Sequence, residues 1–567
     1  MKIDDFLDSQ VKSDESGVWI LKDHGYFNYS DGSRSESYLN KAFTCATDLS
    51  SKSSELESWI KDWPSEYHLS QKRAQLLSGF NFDTHARVLE VGCGCGAITR
   101  YLAEKFDSVI AVEGNINRAR LARARNRDLD SVSIVCAPFQ ELRFKQKFDL
   151  IFCIGVFEYS GSFIDHTNPY QAALKYFSSL LSNNGILVLA IENQFGLKYF
   201  SNAREDHLGV QFAGIEGYHG QTRKVRTFGR TELHEMLRTE FQSIHFFYPY
   251  PDYKVPDCIA SENFLRSGFA GELVSGFTSR DYFRTRRPLF DERATTLEIN
   301  RNRALEFFAN SFLVIAGKGC VDAQLFPQEL ILYSSGRVPG YSTVTRAIPN
   351  HSGKLIFTKR KAVSNLPDPS QNLCFVGTSD ELIDAFSILT QLLLRIKNKD
   401  INLTDLFSCV KPWFEELRKV SHHSNGRLMV SGHLLDAVWG NSYVVESTCR
   451  FIDLEWQVPR DIPLNVLVIR AIYDFLTRTD GFLSLPFSLN RYSGKSLIFD
   501  IARTFGCILN RRDFDDFVFI ENELKLAVFG GKAEHEIRNI RWFFMHRPSR
   551  RFICRLTMLF RWFVARF

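Results

Sequence analysis

The run Arg87-Val-Leu-Glu-Val-Gly-Cys-Gly-Cys-Gly96 constrains this chain more than any other feature, because an apolar strand empties directly into a turn with three glycines at alternate positions. Val88, Leu89 and Val91 read as a buried parallel strand, and Gly92, Gly94 and Gly96 let the backbone turn sharply and approach a ligand where side chains would clash. Ala97 to Phe106 reads as the following helix. This strand–turn–helix unit predicts an α/β domain with a nucleotide-type cofactor at the turn.

The glycines alone leave the cofactor open, since Gly92-x-Gly94-x-x-Ala97 also fits a dinucleotide fingerprint. Glu90 argues against a pyrophosphate, which a carboxylate beside the helix N-terminus would repel, and suits S-adenosylmethionine, with its sulfonium and ammonium groups. Glu113 ends the next apolar run, Ser108-Val-Ile-Ala-Val-Glu113, where a carboxylate can accept the ribose hydroxyls of either cofactor. Phe148 to Tyr159 reads as a fourth strand that opens at Gly155 into a pocket-lining loop, and Leu181 to Ile191 as a turn and fifth strand.

With Glu90-x-Gly92-x-Gly94-x-Gly96, this order of elements resembles the class I S-adenosylmethionine-dependent methyltransferase family over roughly residues 60–320. The resemblance implies a seven-stranded Rossmann-like sheet, with strand six at Gln242–Tyr248, strand seven at Ser311–Ala316 and an insertion (252–305) to which the sequence assigns no chemistry. It also implies a pre-strand helix closing over the cofactor, making Tyr67 and Arg73 candidates, although Ser70 reads equally as the cap of an ordinary helix. Many members hold adenine with an acid after strand three. Here the run is Cys136-Ala-Pro-Phe-Gln140, so adenine is expected to rest on Phe139 and bond Gln140.

The segment after strand five is too long and too rich in Gly, His, Arg and Tyr for a simple connection, and is expected to form the acceptor pocket. A hydroxyl acceptor needs a base, for which His219 and then His207 are candidates, each equally readable as structural. Glu158 and Tyr159 stand at the edge where class I enzymes contact the acceptor. Glu192, Asn193, Arg223, Arg226 and Arg230 are the candidate acceptor-binding residues, the arginines suiting a phosphate or sugar carboxylate or else lining a solvated helix start.

At 567 residues the chain exceeds one ordinary core. We expect an N-terminal cover (1–58), the methyltransferase domain (59–320), a second unit (321–530) and a tail (531–567). The start lacks a basic region followed by an apolar core, and no stretch is apolar enough to span a membrane, so a cytoplasmic location is expected. Twelve cysteines without a Cys-x-x-Cys pair argue against a disulfide framework or zinc site, and Cys93 and Cys95 suit the glycine turn by size. No metal is read from this pattern.

In the second unit, Glu329–Tyr333, Ser342–Ala347 and Lys354–Lys359 read as strands and Ser379–Lys397 as helical. Asp436, Asn441 and Asp453 then follow the order base, metal ligand, metal ligand, with Lys359 or Lys361 as the strand lysine. This resembles an aminoglycoside-phosphotransferase-type, kinase-like α+β domain and implies ATP and Mg2+, but the glycine loop is absent and a degenerate scaffold is the plainer reading. Both units together resemble bacterial surface-polysaccharide (O-antigen) methyltransferases, including bifunctional methyltransferase-kinases. The resemblance implies a glycan or lipid-linked glycan acceptor and a glycosyltransferase partner.

From Ile537 to Phe567 there are eight arginines, eight Trp or Phe residues and no acid, so the basic character of a chain with formal charge +5 is a property of its tail. Arg550, Arg551, Arg555, Arg561 and Arg566 fall on one face of a helix at 549–567, opposite Phe552, Leu556, Phe560 and Phe563. That pattern predicts an amphipathic helix lying on an anionic membrane, or docked on a partner protein, rather than nucleic-acid binding. The expected location is therefore peripheral, on the inner face of the membrane.

Overall fold

The computed structural model describes residues 3–22, 30, 32–219, 225–283, 286–334, 336–479, 485–489 and 494–533. The chain divides into two compact units, Met1–Leu332 and Tyr333–Phe567. Among the described residues, no helix is long and apolar enough to cross a membrane.

In the first unit the strands are β1 (Val11–Ser13), β2 (Trp19–Leu21), β3 (Arg87–Val91), β4 (Ser108–Glu113), β5 (Val132–Cys136), β6 (Phe148–Ile154), β7 (Leu181–Glu192), β8 (Ser243–Tyr250), β9 (Cys258–Ser261), β10 (Ser311–Gly317) and β11 (Leu330–Tyr333). Their spatial order is β1-β2-β5-β4-β3-β6-β7-β10-β8-β9-β11. From β5 to β7 the pairing is parallel, while β10 is antiparallel to both β7 and β8. The parallel strands read as unbroken apolar runs because helices cover both faces; Ile110, Ile134, Ile151 and Val188 are fully buried. Order reverses between β3 and β6, and a ligand crevice opens at such a switch point, outside the strands' C-terminal ends.

The first 58 residues do more than cover this sheet. The β1–β2 hairpin adds to its edge, with β2 parallel to β5, and the helix Ser33–Cys45 buries Leu39, Ala42 and Phe43. The pre-strand helix is two helices, Trp63–Leu69 and Lys72–Ser78, broken at Ser70. Asp62 caps the first in a capping box with Ser65. The insertion after β8 contributes β9 and four helices, among them Glu262–Arg266 and Glu292–Arg301.

Residues 321–332 belong to the first unit rather than the second, because β11 pairs antiparallel with β9. The second unit contains an antiparallel sheet of Thr343–Pro349, Leu355–Lys361 and Thr378–Glu381. Its helices, including Ile388–Arg395, Lys411–Lys419 and Leu464–Arg478, pack around Trp413, Trp439 and Phe475. Ser379–Lys397, expected to be helical throughout, begins as a strand whose alternating side chains pair with Leu355–Lys361, and becomes helical at Ile388. The predicted amphipathic tail at 549–567 lies outside the described residues.

Candidate functional site

A cavity of about 290 Å³ opens at the C-terminal ends of β3, β4 and β6. Its floor is the glycine turn. Gly92, Gly94 and Gly96 have φ of 75°, 55° and 83°, values L side chains rarely adopt. The turn is pinned from β4: the Gly92 and Cys93 amides donate to the Val112 carbonyl at 2.8 and 2.9 Å, and the Gly94 amide to Glu113 Oε2 at 2.8 Å.

Glu90 and Glu113 both line the cavity. Burial pushes the Glu90 carboxyl up to about 7, against the Thr99 hydroxyl and the nearby Arg73 charge, and its Oε2 has no hydrogen-bond partner among the described residues. A buried acid with one oxygen unpartnered suits a ligand that brings a cation. Phe139, Gly155, Tyr67 and Arg73 also line the cavity. Arg73 lies 4.2 Å over the Tyr67 ring and donates to the Lys254 carbonyl at 2.7 Å. Gln140 does not join them; its amide donates to the Phe163 carbonyl at 3.1 Å, on the far side of the short Phe139–Glu141 turn.

Beyond the glycine turn the cavity is walled by Glu158, Tyr159, Asp206, His207, Tyr253 and Lys254. His207 Nε2 lies 3.1 Å from Glu192 Oε2, and Nδ1 lies 3.0 Å from the Tyr159 hydroxyl. Burial would lower the pKa of His207, but the Glu192 charge and hydrogen bond overcome it and raise it to about 10. Glu192 sits behind His207, its pKa held low despite burial by Lys254 and His207. Burial and the Glu192 charge raise that of Glu158. Lys254 bridges Glu192 and Asp206, and Lys198 reaches Asp206 at 2.8 Å.

Several sequence candidates fall elsewhere. His219 is solvent-exposed and not part of the cavity wall, so the base role expected of it has no support; His207 is the histidine at the site, with both ring nitrogens engaged. Arg226 is spent on Glu232 at 2.7 Å, and Arg230 on the Tyr248 hydroxyl at 3.1 Å and on Glu262. Neither lines the cavity. Asn193 is a structural bridge, donating to the Phe307 and Ala309 carbonyls at 2.8 and 2.7 Å. Arg223 lies outside the described residues. Conversely, Asp206, Tyr253, Lys254 and Tyr282 were not among the candidates. Tyr253 and Tyr282 come from the insertion to which the sequence assigns no chemistry, and Tyr282 stacks on Trp63 at 3.8 Å.

In the second unit, Lys359 Nζ reaches Asp453 Oδ2 at 2.6 Å and Glu455 at 3.4 Å. Asp453 holds a left-handed φ of 55°, and its amide donates to Asp380 at 3.0 Å. Asp436 is buried against Arg470 at 3.0 Å, its carboxyl pushed up to about 6 by burial, and Asn441 donates to the Asp436 carbonyl at 3.0 Å.

Residues 88–185 match the protein family described as methyltransferase domain. That match and the strand order define a class I, Rossmann-like methyltransferase domain. The malonyl-[acyl-carrier protein] O-methyltransferase of Priestia megaterium is 31% identical over 109 residues, covering 19% of this chain and 39% of that protein. The (S)-coclaurine N-methyltransferase of Thalictrum flavum is 27% identical over 120 residues, covering 20% of this chain and 30% of that protein. Among solved structures, N-methyltransferase NodS from Bradyrhizobium japonicum with S-adenosyl-L-homocysteine aligns at a TM-score of 0.21 and 17% identity, over 28% of this chain and 74% of that one. This chain spans less than half the length of either curated relative.

Proposed function

We propose that the chain is an S-adenosylmethionine-dependent O-methyltransferase acting on a hydroxyl of a surface polysaccharide or its lipid-linked precursor. The observation that carries the methyl-transfer reading is the meeting, in one cavity, of the glycine turn with Glu90 and Glu113 and of the Glu158–Tyr159–His207 group. Glu90, Glu113 and the turn would hold the cofactor, with Phe139 beside adenine and Arg73 and Tyr67 closing over it. When bound, S-adenosylmethionine supplies an electrophilic methyl group on a sulfonium.

For the protein, the task is alignment of the nucleophile and exclusion of water. Glu158 and Tyr159 face the acceptor. His207, locked between Tyr159 and Glu192, is a positioning residue that fixes the phenol's orientation. Methyl-tritiated S-adenosylmethionine incubated with lipid-linked glycan tests the reading. Label in a base-stable methyl ether supports it. Label in a base-labile ester, or none in the glycan, contradicts it.

The Lys359–Asp453 ion pair favours a second reading, in which the second unit, as far as residue 530, is kinase-like and takes ATP and Mg2+. Transfer of label from ATP to the glycan, lost in Asp453→Asn, supports a bifunctional methyltransferase-kinase; no ATP binding leaves a scaffold that recruits a glycosyltransferase. Residues 549–567 give the chain its place on an anionic membrane in this account. Liposome sedimentation unchanged by their deletion would count against that placement.

A further inference from the structure

Glu158 is fully buried in the cavity wall, and neither carboxyl oxygen has a hydrogen-bond partner among the described residues. A buried acid aimed into a cavity without a partner is expensive to keep, and it points to a ligand that completes it. Two further donors converge on the same spot. His207 Nε2 lies 3.8 Å from Glu158 Oε1 and 3.1 Å from Glu192 Oε2, and the three donor atoms all lie within 4.8 Å of one another.

The surroundings hold these donors in place. Tyr253 donates to Glu192 Oε1 at 3.2 Å and Lys254 pairs with the same oxygen, which leaves Oε2 turned toward His207. Tyr159 faces His207 Nδ1 at 3.0 Å, the outer contact that orients a ligating imidazole. Asp206 stays outside the set, held by Lys198 and Lys254. Donors about 2.1 Å from a common ion stand roughly 3 to 3.5 Å apart; the His207–Glu192 pair already has that spacing at 3.1 Å, and Glu158, 3.8 Å from His207, would draw in as the ion binds.

We propose that Glu158, Glu192 and His207, the last losing its Nε2 proton to water as the ion enters, form a binding site for a divalent transition-metal ion of the Mn2+ or Zn2+ class, on which the acceptor hydroxyl is seated beside the methyl donor. Two carboxylates with one imidazole suit such an ion better than a copper or iron–sulfur centre. The site deepens the O-methyltransferase reading and rests on it. A hydroxyl bound to the ion gives its proton to a water molecule; its oxygen then bonds the methyl carbon as the carbon–sulfur bond breaks, and the electron pair stays on sulfur.

The test uses the full chain, stripped with chelator and titrated with Mn2+, the free ion being followed by electron paramagnetic resonance. One Mn2+ per chain is expected. Glu158→Gln and His207→Gln are each expected to weaken binding at least about 10-fold, while both still bind S-adenosylmethionine by calorimetry. Glu232→Gln, which alters an exposed acid, is expected to leave Mn2+ binding unchanged. If His207→Gln fails to fold, Glu158→Asp keeps the charge while withdrawing the oxygens, and weaker Mn2+ binding is again expected. A chain that binds S-adenosylmethionine but takes up neither Mn2+ nor Zn2+, or takes up Mn2+ equally in Glu158→Gln, overturns the metal site and leaves the methyltransferase reading standing. A chain that binds neither ion nor cofactor overturns both.

Discussion

The backbone amide of Gly94 donates to Glu113 Oε2 at 2.8 Å, so the acid at the end of β4 is also the anchor of the glycine turn that follows β3. Its other oxygen accepts from the Asn115 amide at 3.0 Å. Glu113 therefore shapes the cofactor floor before any ribose arrives. Glu113→Ala is expected to weaken S-adenosylmethionine binding by about 10- to 100-fold, in line with the loss of one charge-assisted hydrogen bond and of the loop's support. Calorimetry with unchanged affinity would remove Glu113 from the site.

The three glycines are expected to differ in what they tolerate. A Cβ on Gly96 would lie 2.9 Å from the Ala122 Cα, part of a helix backbone that cannot swing away, whereas on Gly94 it would meet the Arg118 guanidinium at 2.7 Å. Gly96→Ala should therefore cost more stability than Gly94→Ala, on the order of 2–4 kcal/mol against 1–2. Thermal melts of both variants check the order.

Glu90 makes a pH prediction. Burial raises its carboxyl from 4.5 in the unfolded chain to about 7 in the fold. The folded protein thus holds this proton more tightly, so Glu90 lowers stability progressively from about pH 4.5 to about pH 7, by about 3 kcal/mol once the change is complete. Glu90→Gln should raise the melting temperature at pH 8 and leave it little changed at pH 4. A cationic ligand favours the carboxylate, so cofactor binding at pH 6.5 should release a proton that Glu90→Gln does not release. Calorimetry in buffers of different ionisation enthalpy reads this directly.

How much of this was legible in the sequence depends on where each residue's partners lie. Glu90, Gly92, Gly94, Glu113 and Gly155 sit at or near strand ends, where local pattern and topology coincide, and all line the cavity. The order of β3 to β8 was readable for the same reason. Arg226 and Arg230 stand outside the cavity lining, Arg226 paired with Glu232 six residues on and Arg230 with Glu262 from the insertion, a pairing that sequence spacing does not reveal. His219 and His207 looked alike in composition, and burial separates them. Lys254 and Tyr253 follow β8 and reach the cavity only because β10 inserts between β7 and β8, a consequence of topology that spacing does not reveal.

Lys254 should be a structural necessity of the acceptor wall. It is the shared cation of Glu192 and Asp206; Glu192 and Lys254 are buried, and the Asp206 side chain is only 3% exposed. Removing one partner of such a network leaves uncompensated charge, so Lys254→Met is expected to destabilise the chain by about 3–5 kcal/mol. Denaturant unfolding within 1 kcal/mol of the parent would contradict the assigned network.

The central claim is that the glycine turn and its two acids select a methyl donor over a dinucleotide. Titrating the full chain with S-adenosylmethionine in a calorimeter, then competing with S-adenosylhomocysteine and with NAD+, tests this most directly. One S-adenosylmethionine per chain is expected, displaced by S-adenosylhomocysteine and indifferent to NAD+. Binding of NAD+ in its place, or no binding of S-adenosylmethionine at all, would contradict it.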